Sequence, residues 1–278
     1  MCRYLLLFLL ALLVACSPAE EPGTVGVEPI GAPAMPRALA PASHGRVITL
    51  AADPWCPHNC TAGAALEGYM VDVAREVFGE AGYEVRYMNV SWARALQLAR
   101  EGVVDGVVGA FVGDAPDFIF PDEPLGYSQI NLYTHPQSQW LYRGIDSLRG
   151  QTLLAINGYS YSPELDAYID AHLQNQERVW ILSGPAPLNR AIYLLDQHRT
   201  DVFPEDRYVL EWAIRQLDDV AMPRTAGRLF EARTYIAFSP ANPESPELAR
   251  LLSEGTRTLR TSGRFSNLLA SYGLTDVD

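Results

Sequence analysis

The sequence predicts an α/β protein built from two lobes. From Arg46 onward, short apolar runs alternate with helix-length amphipathic segments, which is typical of helices layered on mostly parallel strands. This part of the chain comprises about 230 residues, which is too many for one ordinary core and suits two lobes.

The first series of elements begins with a strand at 47–51. The helix after the next loop carries apolar side chains three and four residues apart, as one buried helical face requires. These side chains are Met70, Val73, Ala74, Val77, Phe78 and Ala81. Gly82 is predicted to end this helix. The remaining elements are a strand at 85–88, a helix at 92–100 with Ser91 as N-cap, and a strand at 103–110.

The second series begins beyond Gly150 and continues the same alternation. Its predicted strands lie at 152–156, at 179–182, near Val202 and at 234–238. Its predicted helices are one from Pro163 with Ser162 as N-cap, one striped by Leu188, Ala191, Ile192 and Leu195, one at 207–217, and two closing helices, the first with Ser245 as N-cap and Pro246 at its first position.

The N-terminal segment, residues 1–16, reads as an export signal. Its apolar run at 5–14 is only about half of the ~20 residues that a membrane-spanning helix needs. The run ends in LVAC at 13–16, which resembles the bacterial lipobox and implies a lipid on Cys16. Residues 17–45 are rich in Pro, Ala and Gly, so we expect a disordered tether. The chain is therefore expected on the periplasmic side of a bacterial membrane, or at the cell surface, as a lipoprotein.

The charge balance argues against nucleic acid as a partner. The net charge is −12 and the pI is near 4.9, whereas nucleic-acid binding draws on clusters of Lys and Arg. An acidic balance is common in secreted domains, so it favours a cationic ligand only weakly.

Two cysteines lie in the folded part, within the segment WCPHNC at 55–60. A local disulfide between Cys56 and Cys60 is predicted, because an exported chain meets an oxidising compartment. The alternative is a metal or redox site that uses Cys56, His58 and Cys60, although a fourth ligand and a C-x-x-C spacing are missing. No cofactor or resident metal is expected.

Segments spread along the chain carry a resemblance to a known family. They are Asp53-Pro54-Trp55, Glu67-Gly68-Tyr69-Met70-Val71-Asp72, Ser91-Trp92 followed by Glu101-Gly102-Val103-Val104-Asp105-Gly106, the segment 201–206, and Phe238-Ser239 with the closing Ser262-Gly263 and Tyr272-Gly273. In this order over 46–274, they resemble the family 3 periplasmic solute-binding proteins, the amino-acid-type binding components of ABC importers.

The resemblance implies a two-lobed periplasmic-binding-protein fold of type II, with helices on both faces of mostly parallel sheets. Lobe one would comprise 46–135 and 236–278, lobe two would comprise 136–235, and two strands would form the hinge. It also implies a monomer that binds a small molecule, an amino acid, amine or related compound, and meets an ABC permease or membrane sensor. The alternative is an enzyme on the same scaffold, because some relatives resemble cyclic-acid dehydratases that use cleft carboxylates.

In lobe one, the resemblance places four ligand contacts. Asp53 follows the first strand, where relatives present an acidic or polar group, although an Asp before proline also suits a plain turn. Trp55 and Trp92 match positions where relatives hold the apolar part of the ligand between aromatic rings. Trp92 and Phe111 suit core packing equally well.

In lobe two, the loop 157–161 joins a strand to a helix. Relatives use small residues and backbone amides there to receive a carboxylate, which points to Ser160. Tyr159 and Tyr161 either contact the ligand or only close the interface. Asp206 matches the acidic residue that relatives aim at a ligand ammonium, and it also suits the N-cap of the helix at Arg207.

One departure from the family pattern concerns charge. Relatives carry an Arg after the third strand that pairs with the ligand carboxylate, and this chain has Asp114 or Asp117 in that place, depending on how the segment is aligned. A carboxylate there repels an acidic ligand group and attracts an amine. Arg94 is a candidate to compensate, but an exposed helical arginine is the simpler interpretation.

Overall fold

The computed structural model describes residues 45–184 and 187–275. The predicted signal, Cys16 and the tether up to residue 44 lie outside the described residues. Within the described part, no helix is long and apolar enough to cross a membrane.

The described elements alternate between strands and helices. The strands are β1 (Arg46–Ala52), β2 (Tyr83–Asn89), β3 (Gly106–Ala110), β4 (Gly126–Thr134), β5 (Leu153–Ile156), β6 (Val179–Leu182), β7 (Phe203–Asp206) and β8 (Arg224–Phe238). The α-helices are α1 (Tyr69–Glu80), α2 (Trp92–Arg100), α3 (Pro163–His172), α4 (Pro187–Asp196), α5 (Arg207–Ile214), α6 (Ser245–Thr261) and α7 (Arg264–Ser271). A short 3₁₀ turn spans Ile145–Leu148.

The strands form a six-stranded sheet in the order β2-β1-β3-β8-β4-β7 and a two-stranded sheet of β5 and β6. β1 pairs in parallel with β2 and β3, and β5 pairs in parallel with β6. The remaining pairings are antiparallel and involve β4 and β8. The predicted α/β class is confirmed.

β8 is the strand that connects the two halves of the large sheet. Its residues 224–234 pair with β4, and its last residues, 235–238, pair with β3. One extended strand therefore passes from the neighbourhood of β4 and β7 to that of β1, β2 and β3. This is the continuity that a two-strand hinge would need.

Three clusters of buried apolar side chains form the core. The first cluster draws on β1 to β3, the end of β8, and helices α1, α2, α6 and α7. The second and third clusters draw mainly on residues 130–213, from β4 to α5. Trp55 comes from the loop after β1 but packs in the second cluster. The predicted lobe ranges remain a prediction.

The amphipathic stripes predicted most of the helices well. In α1 the stripe residues are buried from Met70 to Phe78, and Ala81 is exposed as the residue that follows the helix. The Ser162 side chain accepts a hydrogen bond from the Leu165 backbone N–H, as an N-cap should. Ser91 precedes α2 without such a bond, and Glu244, not Ser245, is the residue that precedes α6.

The strand predictions missed one strand and about half of another. β4 was not predicted, and β8 begins at Arg224, ten residues before the predicted start at Thr234. The early part of β8 alternates between exposed and half-buried positions, so it lacks a continuous apolar face. β3 begins at Gly106, so Val103, the predicted first residue, lies outside the strand and is exposed.

Candidate functional site

A cavity of about 30 Å³ lies where the ends of β1 and β3 meet β7 and the loop after β5. It is lined by Asp53, Trp55, Asn59, Trp92, Val108, Gly109, Phe111, Asp114, Ile130, Tyr159, Ser160, Tyr161 and Glu205. All of the predicted ligand-binding residues except Asp206 are in this set. Their role in binding remains a prediction, but the fold brings them together from four separate segments.

The loop at 55–60 is closed by a disulfide between Cys56 and Cys60, as predicted. The backbone N–H of Trp55 donates to the Asn59 carbonyl oxygen at 2.6 Å, which ties the two ends of the loop together. The disulfide uses both sulfur atoms, and the His58 ring lies against Tyr69 and Asp206 instead. Nowhere in the described ranges do three or more His, Cys, Asp or Glu side chains group to hold a metal. The loop presents Trp55 and Asn59 to the cavity.

Two hydrogen bonds cross the cavity. Trp55 Nε1 donates to Glu205 Oε1 at 2.9 Å, and the Tyr159 hydroxyl donates to Asp53 Oδ2 at 2.8 Å. The Trp55 ring also meets Phe111 edge-on, with the ring centroids 6.0 Å apart. These contacts hold the loops after β1 and β3 against β7 and the loop after β5. At about 30 Å³ the cavity has room for about two water molecules in this arrangement.

Three carboxyl groups share the cavity, and burial is the main reason that their pKa values are raised. The pKa of Asp53 is raised to about 6, that of Asp114 to about 7 and that of Glu205 to about 8. Hydrogen bonds from Tyr159 to Asp53 and from Trp55 to Glu205 act in the opposite direction without cancelling the effect of burial. Among the lining residues there is no Lys or Arg. The cavity is therefore lined by acidic groups, and near neutral pH these carboxyl groups are partly protonated.

Asp206 does not line this cavity. It is fully buried and accepts hydrogen bonds from Ser128 Oγ at 2.7 Å and from the backbone N–H groups of Gln129 and Val209 at 3.0 Å. His58 Nε2 lies 3.3 Å from Asp206 Oδ1. Burial by itself would raise the pKa of Asp206, but these partners together hold it below its ordinary value. The structure supports its predicted role as the N-cap of α5, and its predicted role in binding remains a prediction.

The structure separates the two candidates for the position of the family arginine. Asp114 lines the cavity, with Oδ2 accepting a hydrogen bond from the Phe111 N–H at 2.9 Å. Asp117 lies at the surface in an ion pair with Arg100, at 2.9 Å. Arg94 is half exposed and 3.9 Å from Glu101, so it does not supply the missing positive charge to the cavity.

Asn59 and Glu205 line the cavity but were not predicted as ligand contacts. Glu205 precedes Asp206 in β7, and successive side chains of a strand point to opposite faces. A buried four-residue strand has no exposed face that would reveal which of two adjacent carboxylates points to the cavity. Asn59 lies within the disulfide loop, whose conformation the sequence does not specify.

A continuous sheet, separate hydrophobic clusters and a cavity lined by aromatic rings and three carboxyl groups define a protein of the solute-binding class. The family model described as bacterial extracellular solute-binding proteins, family 3, matches residues 48–275. The chain belongs to this family, whose members act outside the cytoplasm as binding proteins. No curated protein sequence matches the chain significantly.

Solved structures agree on the fold. A structure from Streptococcus mutans, reported for glutathione import via GshT and the cystine ABC importer TcyBC, is 18% identical, has a TM-score of 0.69 and covers 84% of this chain and 98% of that chain. A mutant of ArgBP from T. maritima is 16% identical, with a TM-score of 0.67, and covers 81% and 94%. A histidine kinase sensor domain with similarity to periplasmic binding proteins is 19% identical, with a TM-score of 0.67, and covers 84% and 99%. At these identities the likeness shows the fold alone.

Proposed function

We propose that the chain captures a small polar solute in the cavity between Asp53, Asp114 and Glu205 and hands it to an ABC permease or a membrane sensor. The solute is an amino acid, an amine or a related compound, and the chain releases it chemically unchanged. The two lobes, 46–135 with 236–278 and 136–235, part to admit the solute and close over it. Cys16 carries the lipid that holds the monomeric protein at the membrane.

The observation that carries the proposal is the arrangement of three carboxyl groups in a cavity whose lining contains no Lys or Arg. Ionising several buried carboxyl groups together costs several kcal/mol unless a positive charge pairs with them. A solute with an ammonium or guanidinium group supplies that charge, and a dicarboxylate adds to the repulsion. The cavity therefore favours a cation or zwitterion over an anion.

The solved relatives support an import role without fixing the solute. Their names associate them with arginine, glutathione and cystine, and one of them is a sensor domain. These compounds share an amino group and a carboxylate, so they do not by themselves favour one group over the other. In this chain, the three carboxyl groups of the cavity favour a solute with an amino group. Asp114 in place of the family arginine argues against strong recognition of a carboxylate.

The test is titration calorimetry with a panel of amines, amino acids and dicarboxylates. Asp114→Asn should weaken binding of a cationic solute by roughly 1.5 to 3 kcal/mol, the contribution of a hydrogen bond to a charged group. Asp117→Asn is the matched control, because Asp117 belongs to the same loop and lies at the surface. Tightest binding of an anion that has no amine, improved by Asp114→Asn, would overturn the proposal. Recovery of the solute in altered form would favour the enzyme alternative.

A further inference from the structure

Three buried oxygen atoms of the cavity lining accept no hydrogen bond within the part of the chain that the structure describes. They are Asn59 Oδ1, Asp114 Oδ1 and Glu205 Oε2. Asn59 is 1% exposed and Glu205 is 2% exposed, so bulk water does not serve these atoms. A buried acceptor without a donor destabilises the fold. Asn59 Oδ1 is an acceptor, and the two carboxyl oxygens are acceptors in the ionised form of their groups, so the three atoms together call for a hydrogen-bond donor when the carboxyls ionise.

The orientation of the Asn59 amide is fixed by its other end. Asn59 Nδ2 donates to the Asp53 carbonyl oxygen at 2.7 Å, which leaves Oδ1 as the end that faces the cavity. A Cβ at Gly109 would lie 2.7 Å from Oδ1 and 3.3 Å from Trp55 Cε3. Gly109 therefore lies too close to the Asn59 oxygen and the Trp55 ring to carry a side chain, and its lack of one lets β3 approach the disulfide loop beside the cavity.

Donors at the cavity wall are already engaged by the protein. Trp55 Nε1 and the Tyr159 hydroxyl bind Glu205 and Asp53. The loop after β5 would be the place for a ligand carboxylate, but the Ser160 hydroxyl and the Tyr161 N–H donate to the two oxygens of Asp166, at 2.8 and 2.9 Å. A carboxylate of this chain therefore occupies the donors that a carboxylate of the solute would need.

We propose that the site takes the ammonium group of a primary amine and that the solute needs no carboxylate. This inference rests on the proposed function and narrows its substrate class. A primary ammonium offers three N–H donors, which matches the three unpaired acceptors. The ammonium group itself is small enough for a cavity with room for about two water molecules, and the Trp55 and Phe111 rings supply aromatic contacts that attract a cation. A quaternary ammonium has no N–H to donate.

Binding of the cation is coupled to release of protons. The groups around the site are the carboxyls of Asp53, Asp114, Glu205, Asp166 and Asp206, the phenols of Tyr159 and Tyr161, and the His58 ring behind Trp55. Burial raises the pKa of the three cavity carboxyls to between about 6 and about 8. The ammonium favours their ionised forms, whereas the amine itself stays protonated up to about pH 10. Affinity should therefore rise as the pH rises from 5.5 to 8.

The experiment is titration calorimetry of the exported chain with three amines, n-butylamine, phenethylamine and cadaverine. Each amine is compared with its N-trimethylated and its α-carboxylated counterpart. In at least one series the primary amine should bind at least tenfold more tightly than the trimethylated form, and the carboxylated form should bind no better than the amine. Glu205→Gln should weaken binding of the amine at least tenfold. Glu211→Gln, which removes a carboxylate beside Arg207, should leave binding of the amine unchanged.

A second readout does not depend on the variants. Titrations of the wild-type chain at pH 6.5 in buffers of different ionisation enthalpy should show proton release. Binding of the α-amino acids alone would overturn this inference and leave the proposed function intact. Binding of anions alone would overturn both. If the amines fail to bind and only water occupies the cavity in a crystal structure, the inference is likewise wrong.

Discussion

Glu205 and Asp206 are neighbours in β7, yet they meet two different residues of the same disulfide loop. Trp55 Nε1 donates to Glu205 at 2.9 Å, and His58 lies 3.3 Å from Asp206. The Trp55 and His58 rings stack, with their centroids 4.3 Å apart. The first carboxyl has a raised pKa and lines the cavity, whereas the second has a lowered pKa and caps α5. The alternation of side chains along a strand separates the two roles.

The stability of the chain should decrease as the pH rises from 5 to 8. Burial raises the pKa of Glu205 from its ordinary 4.5 to about 8, so in this window the folded chain holds a proton that the unfolded chain has lost. Glu205→Gln removes this group and should reduce the decrease by more than about 1.4 kcal/mol, the equivalent of a pKa difference of one. Urea unfolding at several pH values measures the free energy of unfolding and its decrease with pH. Equal decreases in Glu205→Gln and wild type would contradict the assignment, and Glu211→Gln is the control.

Replacing Asp206 by Asn should destabilise the chain by about 1.5 to 3 kcal/mol, because it removes a buried carboxylate that accepts hydrogen bonds from Ser128 and the Gln129 N–H. Asn keeps an acceptor for the Val209 N–H, so most of the loss should reflect the charge and not the cap. Urea unfolding at pH 7 is the measurement. Asp117→Asn breaks an exposed ion pair and should cost less than about 1 kcal/mol. Similar costs for the two variants would show that the Asp206 carboxylate is not ionised in the fold.

Gly109→Ala should both destabilise the chain and weaken solute binding. Gly109 has a φ of +88°, which strains any other residue, and the added Cβ would lie 2.7 Å from Asn59 Oδ1. We expect a cost of about 1 to 3 kcal/mol in thermal or urea unfolding. Gly113→Ala is the control from the same segment, because its Cβ would meet no atom within 4 Å. Unchanged stability and binding in Gly109→Ala would show that the close approach of Gly109 to Asn59 matters neither to the fold nor to the site.

Asp166→Ala should shift the preference of the site towards solutes with a carboxylate. The substitution leaves the Ser160 hydroxyl and the Tyr161 N–H without their acceptor, so both become available to the solute. Calorimetry should show the α-carboxylated amine gaining about tenfold relative to the plain amine, as expected for a hydrogen bond to a charged group. Asp170→Ala, an exposed position on the same helix, should leave the preference unchanged. No shift in Asp166→Ala would mean that the loop does not face the bound solute.

Cys16→Ser should release the chain from the membrane fraction without altering its fold. The prediction rests on the lipobox-like LVAC at 13–16, because a thioether-linked lipid is the anchor that this motif implies. Cell fractionation and circular dichroism are the measurements. Cys2→Ser is the control, since Cys2 lies in the segment that would be cleaved. Retention of Cys16→Ser on membranes would disprove the anchor.

Hydrophobic periodicity determined the helices of this protein, because an amphipathic stripe such as that of α1 depends only on spacing along the chain. The resemblance to the family, and not periodicity, pointed to Asp53, Phe111, Asp114 and Tyr159, which follow strands, where an α/β fold collects the residues of its site. Periodicity failed for β4 and the first half of β8. The first half of β8 is mainly exposed or half-buried, whereas β4 is buried without interruption at 130–134, so neither strand shows the regular alternation of buried and exposed side chains that marks a strand.

Only the tertiary structure decided which carboxylates share the cavity. The choice between Glu205 and Asp206 depends on the register of β7 against β4, since a shift of one residue turns a side chain to the other face. The choice between Asp114 and Asp117 depends on a turn in which the Phe111 N–H binds one of them and Arg100 pairs with the other. A pKa near 8 for Glu205 arises from burial by segments distant in sequence, and burial is a property of the assembled fold that no local sequence pattern encodes.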